Sequence, residues 1–304
     1  MSRLQPSSLF SVKGLVVVLT GGGSGLGRMM AHTLDANGAS KIFIIGRRQE
    51  ALQETITQSP NSSSSAIIPI QADISSKASL EAAYQAISAQ TDHVDLLIAN
   101  SGILGPRACP PPPKPDGSLP SLAEVRDALW SVPTEDFTKV LDVNVTGAYY
   151  TAVAFLPLLE AANKRRPAPV KNQIAAPTAQ VIITTSIAGF NRKVPVSAAY
   201  NLSKAAANHL VKMLSTTLAS YDIRVNGIAP GIYLSEMSTP NFEEDDKGIS
   251  DGSFKKEFIP LTRAGGEEDI AGLILYMASA AGGYLNGNIT ISDGGRLNTA
   301  VATY

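Results

Sequence analysis

Apolar positions along this chain fall into short continuous runs separated by stretches of helical period. Gly14 to Thr20, GLVVVLT, is almost wholly apolar, as a strand buried on both faces of a parallel sheet requires. Lys41 to Ile45, Ala66 to Gln71, Val94 to Ala99, Val181 to Thr185 and Ile223 to Ile228 repeat the pattern, and Asn288 to Ile291 is a last short strand. Helical spacing covers Arg28 to Asn37, a segment near Ser76 to Gln90, a long one from Thr134 to about Asn163, about Ser197 to Ser220, and Glu267 to Ala278. Strands alternating with helices at this spacing predict an α/β fold, a doubly wound parallel sheet with helices on both faces. There is no internal repeat and no sign of a second domain, so residues 1–304 are expected to form one unit.

The pattern breaks twice. From Ile103 to Pro133 the Pro-rich run around Cys109 to Gly117 cannot be a helix or an inner strand. It reads as an extended excursion with one helical turn around Leu122 to Trp130. From Ile232 to Thr262 no period is strong, and Glu243 to Asp246 form an acidic, solvated run. Phe242, Ile249, Phe254 and Phe258 there suit either a mobile flap over an apolar substrate or ordinary packing.

Composition narrows the function classes. Of 304 residues, 44% are apolar and 17% charged, ample for a sizeable core. The formal net charge of −1 argues against nucleic acid or an anionic membrane as the main partner. The one cysteine, Cys109, excludes an internal disulfide and fits a reducing compartment. His32, His93 and His209 are far apart, so no metal site is expected. No run approaches the ~18 to 20 apolar residues that span a bilayer, and the N-terminus is polar, so a cytoplasmic location is expected.

Candidate chemistry starts at the first strand. Thr20-Gly21-Gly22-Gly23-Ser24-Gly25-Leu26-Gly27 links it directly to a helix, the context in which a glycine pattern indicates dinucleotide binding. Backbone N–H groups of such a turn meet a pyrophosphate at the positive end of the helix. After the second strand, Gly46 stands where an NAD-selective site has an acid, and Arg47 and Arg48 follow; this favours NADP. Glu50 is expected to face solvent. Asp73 is a candidate for the adenine amino group or for a helix cap. Asn144, in mostly apolar helical sequence, needs a partner, structural or catalytic. Ser186 ends a buried strand, and Tyr200 and Lys204, four apart, share a helix face. A cation beside a phenol favours its ionised form, so this pair is a candidate for proton transfer near neutral pH.

These pieces resemble the short-chain dehydrogenase/reductase family along nearly the whole chain, from about Val12 to Arg296. Thr20-Gly21 with Gly25-Leu26-Gly27 is similar to its TGxxxGxG, Asn100-Ser101-Gly102 to its NAG, and Asn144 to its helical asparagine. Ser186, Tyr200 and Lys204 match its serine and YxxxK pair, and Pro230-Gly231 and Asp293-Gly294-Gly295 its later motifs. The resemblance implies a Rossmann fold and an NADP (NADPH) oxidoreductase interconverting a small carbonyl and a secondary alcohol. Tyr200 would be the general acid/base, with Ser186 on the substrate oxygen and Asn144 positioning a water. Lys204 would hold the nicotinamide ribose and depress the tyrosine pKa. Ser24, Arg47 and Arg48 would meet the 2′-phosphate and Asp73 the adenine, with Ile74, Asn100, Gly102 and Ser235 lining the cofactor and the Ile232 backbone at the carboxamide.

Three segments are longer than usual: Asn100 to Asn144, Asn144 to Ser186 and, by one residue, Ser186 to Tyr200. Ser235 replaces a usual threonine. Fungal secondary-metabolite ketoreductases are similar in style. Leu104, Tyr149, Phe190, Val194, Val196 and the flap aromatics are expected near an apolar or aromatic substrate. The alternatives are a 3-oxoacyl thioester reductase, with Arg192, Lys193, Lys255 and Lys256 toward a phosphopantetheine arm, and a cofactor-binding scaffold or cyclase without redox turnover. The resemblance further implies a homodimer or homotetramer through two long helices, with Ala148, Ala152, Ala206 and Leu210 suited to close packing.

Overall fold

The computed structural model describes residues 4–61, 64–172, 174–238 and 250–303. Phe242, the acidic run Glu243 to Asp246 and Ile249 of the expected flap lie outside the described residues. The chain begins α1 (Pro6–Leu9), β1 (Val16–Thr20), α2 (Gly25–Ala36), β2 (Lys41–Gly46), α3 (Gln49–Thr57), β3 (Ile67–Gln71), α4 (Lys77–Ser88) and β4 (Leu96–Ala99). It continues through α5 (Leu122–Trp130), α6 (Thr134–Leu141), α7 (Ala148–Ala154), α8 (Leu156–Lys164), β5 (Gln180–Thr184) and α9 (Ala198–Thr217). It ends with β6 (Arg224–Pro230), α10 (Glu267–Ala278) and β7 (Ile289–Ser292). The strands pair in parallel in the order β3-β2-β1-β4-β5-β6-β7. That order reverses between β1 and β4, where open sheets of this kind hold ligands at the carboxyl ends of their strands.

The continuous apolar runs are explained by burial on two faces. Every residue of β1, β4 and β5 is buried. Val18, Phe43, Leu97 and Val181 face one core cluster with Phe155 and Leu159 of the α7–α8 region and Leu210 of α9. Their strand neighbours Val17, Ile42, Ile98 and Ile182 face the other, with Met30 and Leu34 of α2 and Ile274 of α10. Each such side chain contributes about 1.5–3 kcal/mol on burial. Pro69 sits in β3 without penalty because β3 is an edge, where a missing N–H costs no ladder bond.

Three expectations change. The helix expected from Thr134 to Asn163 is broken: α6 passes into a π-helical turn, Asp142–Gly147, then α7, and α8 bends 43° away. Pro157 explains the bend, since its ring lacks an N–H and clashes with the carbonyl four residues earlier. The single turn expected in the Pro-rich excursion is the nine-residue α5, closed at its start by a Ser121–Glu124 capping box. Ala148, Ala152 and Leu210, expected on a packing surface between subunits, are consumed by the protomer's own core. Ala206 is half-buried, and the large apolar side chains left exposed on α7 and α9 are Tyr149, Val153, Leu202 and Met213. No single helix among the described residues is long and apolar enough to cross a membrane.

Candidate active site

The ends of β1 and β4 are stitched together by side chains. Thr20 Oγ1 accepts the N–H groups of Asn100 (3.0 Å) and Ser101 (3.1 Å), and Asn100 Nδ2 donates to the Thr20 carbonyl at 3.1 Å. The glycine turn then enters α2 so closely that a Cβ on Gly27 would lie 2.1 Å from the Gly21 carbonyl oxygen. Gly27 is therefore a packing requirement, and it does not line the cleft. Ser24 occupies the N-cap position of α2 but makes no capping hydrogen bond. The first-turn N–H groups stay available for an anion, so the chain fits the pyrophosphate of a dinucleotide here.

A cleft of about 590 Å³ starts at Gly21, Ser24, Gly25 and Leu26 and passes Arg47, Arg48, Asp73 and Ile74. It continues along Asn100, Gly102, Ser186, Tyr200, Lys204, Ile232 and Ser235. Arg48 reaches Ser24 Oγ at 3.5 Å and forms a solvent-exposed ion pair with Glu236 at 2.8 Å, across the cleft mouth. Glu50 is exposed on the first turn of α3, as expected. Asp73 Oδ1 accepts from Ser75 Oγ (2.7 Å) and Ser75 N–H (2.9 Å), and these bonds hold its carboxyl below the usual range. The cap of α4 is Ser76, so the helix-cap role considered for Asp73 falls to its neighbour.

The reactive groups converge from β5 and α9. β5 delivers Ser186 to a turn, Ile187–Gly189, in which Ser186 Oγ accepts the Ala188 N–H at 3.1 Å. That turn lies directly on α9: a Cβ on Gly189 would come 2.6 Å from the backbone of Lys204. Ser197 caps α9 by accepting the Tyr200 N–H at 3.3 Å, which sets Tyr200 in the first turn and Lys204 one turn later. Tyr200 and Ser186 line the same cleft wall, and Lys204 Nζ lies 5.7 Å from the tyrosine ring centre. Burial pushes the Tyr200 phenol above its ordinary value, and the Ser186 hydroxyl offsets this only in part. Desolvation is thus the leading influence on the phenol, and the lowering expected from Lys204 is not among the influences that set its direction. Lys204 is itself buried, donates to the Thr184 carbonyl at 2.8 Å, and is pushed down to about 8 by desolvation.

Asn144 sits in the π-helical turn, a device frequent at functional sites. Its side chain is fully engaged: Oδ1 accepts the Ile103 N–H (2.8 Å), and Nδ2 donates to the Ile103 carbonyl (3.0 Å) and Ser203 Oγ (2.9 Å). It pins the chain leaving β4 beside Lys204 and does not line the cleft. Of the residues expected at the substrate, Leu104 and Val196 line the cleft. Tyr149 is exposed on α7 against the Tyr150 ring, and Phe254 packs on Phe258 with centres 5.7 Å apart; neither pair lines it, nor do Phe190 and Val194. Arg192, Lys193, Lys255 and Lys256 are exposed outside it.

Sequence reasoning met Thr20 only within the glycine motif and Ser197 only as a helix start, and passed over Ser203; the hydroxyls of all three position the groups above. It also passed over Thr184, which holds Lys204 and whose own Oγ1 is buried without a partner at the cleft wall. For Thr20, Thr184 and Ser197 a hydroxyl at a strand end or helix start was the available signal; Ser203, inside α9, carried none.

The model of the short chain dehydrogenase family matches residues 15–246. Short-chain dehydrogenase/reductase PhomF of Diaporthe leptostromiformis is 41% identical over 309 residues, covering 100% of this chain and 99% of that protein. The rhamnolipids biosynthesis 3-oxoacyl-[acyl-carrier-protein] reductase of Pseudomonas aeruginosa is 33% identical over 286 residues, covering 94% of this chain and 97% of that one. The solved Pseudomonas aeruginosa RhlG/NADP active-site complex superposes with a TM-score of 0.75 at 32% identity, covering 94% of this chain and 98% of that chain. A parallel sheet switching at β1/β4 and relatives matched over nearly the whole chain place it in the short-chain dehydrogenase/reductase family of NAD(P)-dependent oxidoreductases.

Proposed function

We propose that the protein is an NADP-dependent reductase that converts a small ketone to a secondary alcohol. The observation that carries this reading is the convergence of Ser186, Tyr200 and Lys204 on one wall of the dinucleotide cleft. The nicotinamide supplies the hydride when bound. Tyr200, protonated at neutral pH, donates the phenolic proton to the carbonyl oxygen as charge develops there. Ser186 Oγ holds that oxygen. Lys204, with the Thr184 carbonyl fixing its Nζ, would hold the ribose hydroxyls. Asn144 acts through Ile103 and Ser203 to keep the β4 exit and α9 in register. The apolar Leu104 and Val196 suit an apolar or aromatic body on the substrate.

The test is NADPH consumption across ketones, quinones and acyl thioesters, followed by product identification. Silence across the whole panel sinks the reductase reading. Turnover confined to 3-oxoacyl thioesters supports the second reading, which the Pseudomonas relative favours.

Cofactor choice rests on Arg47 and Arg48 at the mouth, with Ser24 beside them. Arg48→Asp is expected to weaken NADPH about tenfold or more, since a hydrogen bond to a charged group contributes about 1.5–3 kcal/mol. NADH, lacking the phosphate, is expected to change about twofold at most, and titration of cofactor fluorescence decides it. Equal losses for both remove the 2′-phosphate role.

The exposed Tyr149, Val153, Leu202 and Met213 suit a subunit interface, and a homodimer or homotetramer is expected by light scattering. A monomer there refutes it. The single Cys109 fits a cytoplasmic setting.

A further inference from the structure

The substrate end of the cleft carries charge that the proton chemistry leaves unused. Arg107 and Arg296 both line it. Ion pairs among the described residues engage Arg28, Arg48, Arg126, Arg165 and Arg263, and neither cleft arginine. The acids lining the cleft, Asp73 and Glu236, belong to the cofactor half and are already bonded to Ser75 and Arg48.

Both arginines are anchored to the wall that leads into Tyr200. Arg107 precedes Ala108, whose N–H donates to the Val196 carbonyl at 2.9 Å, one residue before the cap of α9. The tail after Arg296 returns to the loop after Ser186. There the Arg192 N–H donates to the Val301 carbonyl and the Thr303 N–H to the Phe190 carbonyl, both at 2.8 Å, flanking an antiparallel bridge between Asn191 and Ala302. Excursion and tail thus clasp the same loop from two directions.

Arg296 is the better-built of the two. Phe258 covers one face of its guanidinium, the ring centre 4.2 Å from the central carbon. Burial pushes it below the usual arginine range. Asp293 opposes that from nearby, but its two oxygens are spent on the Gly295 and Leu297 N–H groups at 2.9 and 2.8 Å. A partly desolvated cation without a bonded acid is costly to maintain unless a ligand completes it. With one face under an aromatic ring, the in-plane N–H edge remains, and a planar fork of donors matches a carboxylate.

We infer that the carbonyl substrate carries a carboxylate, received by Arg296 with Arg107 at the rim of the same wall. Because this names the substrate of the proposed reductase it rests on that reading, and its test is binding, which needs no turnover. The enzyme saturated with oxidised dinucleotide is titrated calorimetrically with 4-acetylbenzoate and with methyl 4-acetylbenzoate, which differ by the charge. The acid is expected to bind about tenfold tighter than the ester, in line with a charge-assisted hydrogen-bonded pair. In R296Q the ratio is expected to fall to about one while dinucleotide affinity is unchanged, and R107Q to lower it in part. R296K, which keeps the charge without the fork, is expected to hold an intermediate ratio, and it serves if R296Q does not fold. Equal affinity for acid and ester, no binding of either, or a ratio unchanged by the Arg296 variants overturns the inference. Tighter binding of 4-acetylphenyl phosphate than of the acid overturns the carboxylate assignment. Acid-selective binding without any NADPH consumption in the ketone panel would instead fail the reductase reading and leave this one standing.

Discussion

Tyr200→Phe is expected to lower turnover of any accepted ketone by about 10²–10⁴-fold, the range a positioned general acid supplies. NADPH affinity is expected to change about twofold at most, because the ring that packs beside Lys204 is kept. A phenol at or above its ordinary value is protonated in every enzyme molecule at neutral pH, and phenylalanine leaves the developing alkoxide only the Ser186 hydroxyl. Stopped-flow transients with NADPH and ketone separate binding from the hydride step and locate the loss. If the variant keeps wild-type turnover, the donor is another group. A joint loss of NADPH affinity and turnover would instead make the hydroxyl a structural tie between β5 and α9.

The sheet was readable because burial on both faces of a parallel strand demands an unbroken apolar run, and β1, β4 and β5 obey that demand. The Ser186, Tyr200 and Lys204 group was readable for a related reason. A strand end and the first turns of one helix are rigid, so spacing along the chain translates into spacing across the cleft. What failed depended on contacts distant in sequence. Ala148, Ala152 and Leu210 looked like interface residues, and only the approach of α7 and α9 to the sheet shows that the core takes them. Tyr149 sits one residue from Ala148 yet on the opposite face, which a π-helical turn upstream makes hard to phase from a 3.6-residue period. The desolvation that sets the direction of the Tyr200 shift was not legible either, because a sequence displays the neighbouring lysine but not how far water is excluded around the pair.

Lys204 offers the sharpest handle on that burial. Its ammonium makes no ion pair among the described residues, is held by the Thr184 carbonyl, and titrates at about 8, well below a free lysine. Below that pH it is charged and able to hold ribose hydroxyls; above it the neutral amine loses both charge and one donor. Since kcat/KM for NADPH reports ionisations of the free enzyme, it is expected to stay level below the transition and to fall tenfold per pH unit as pH rises through about 8. A second fall, belonging to the Tyr200 proton, lies higher, because burial raises the phenol. Lys204→Arg keeps a cation at all accessible pH, so the first fall is expected to vanish while the second remains, on an overall rate reduced by the bulkier head beside Gly102. Lys204→Met, which removes the cation outright, is expected to weaken NADPH at neutral pH by about tenfold, the value of a charge-assisted hydrogen bond, and to flatten the profile through the same window. A fall through the same pH that persists in both variants assigns it to another group, and the buried ammonium would then be a tie between α9 and β5 with no part in holding the cofactor.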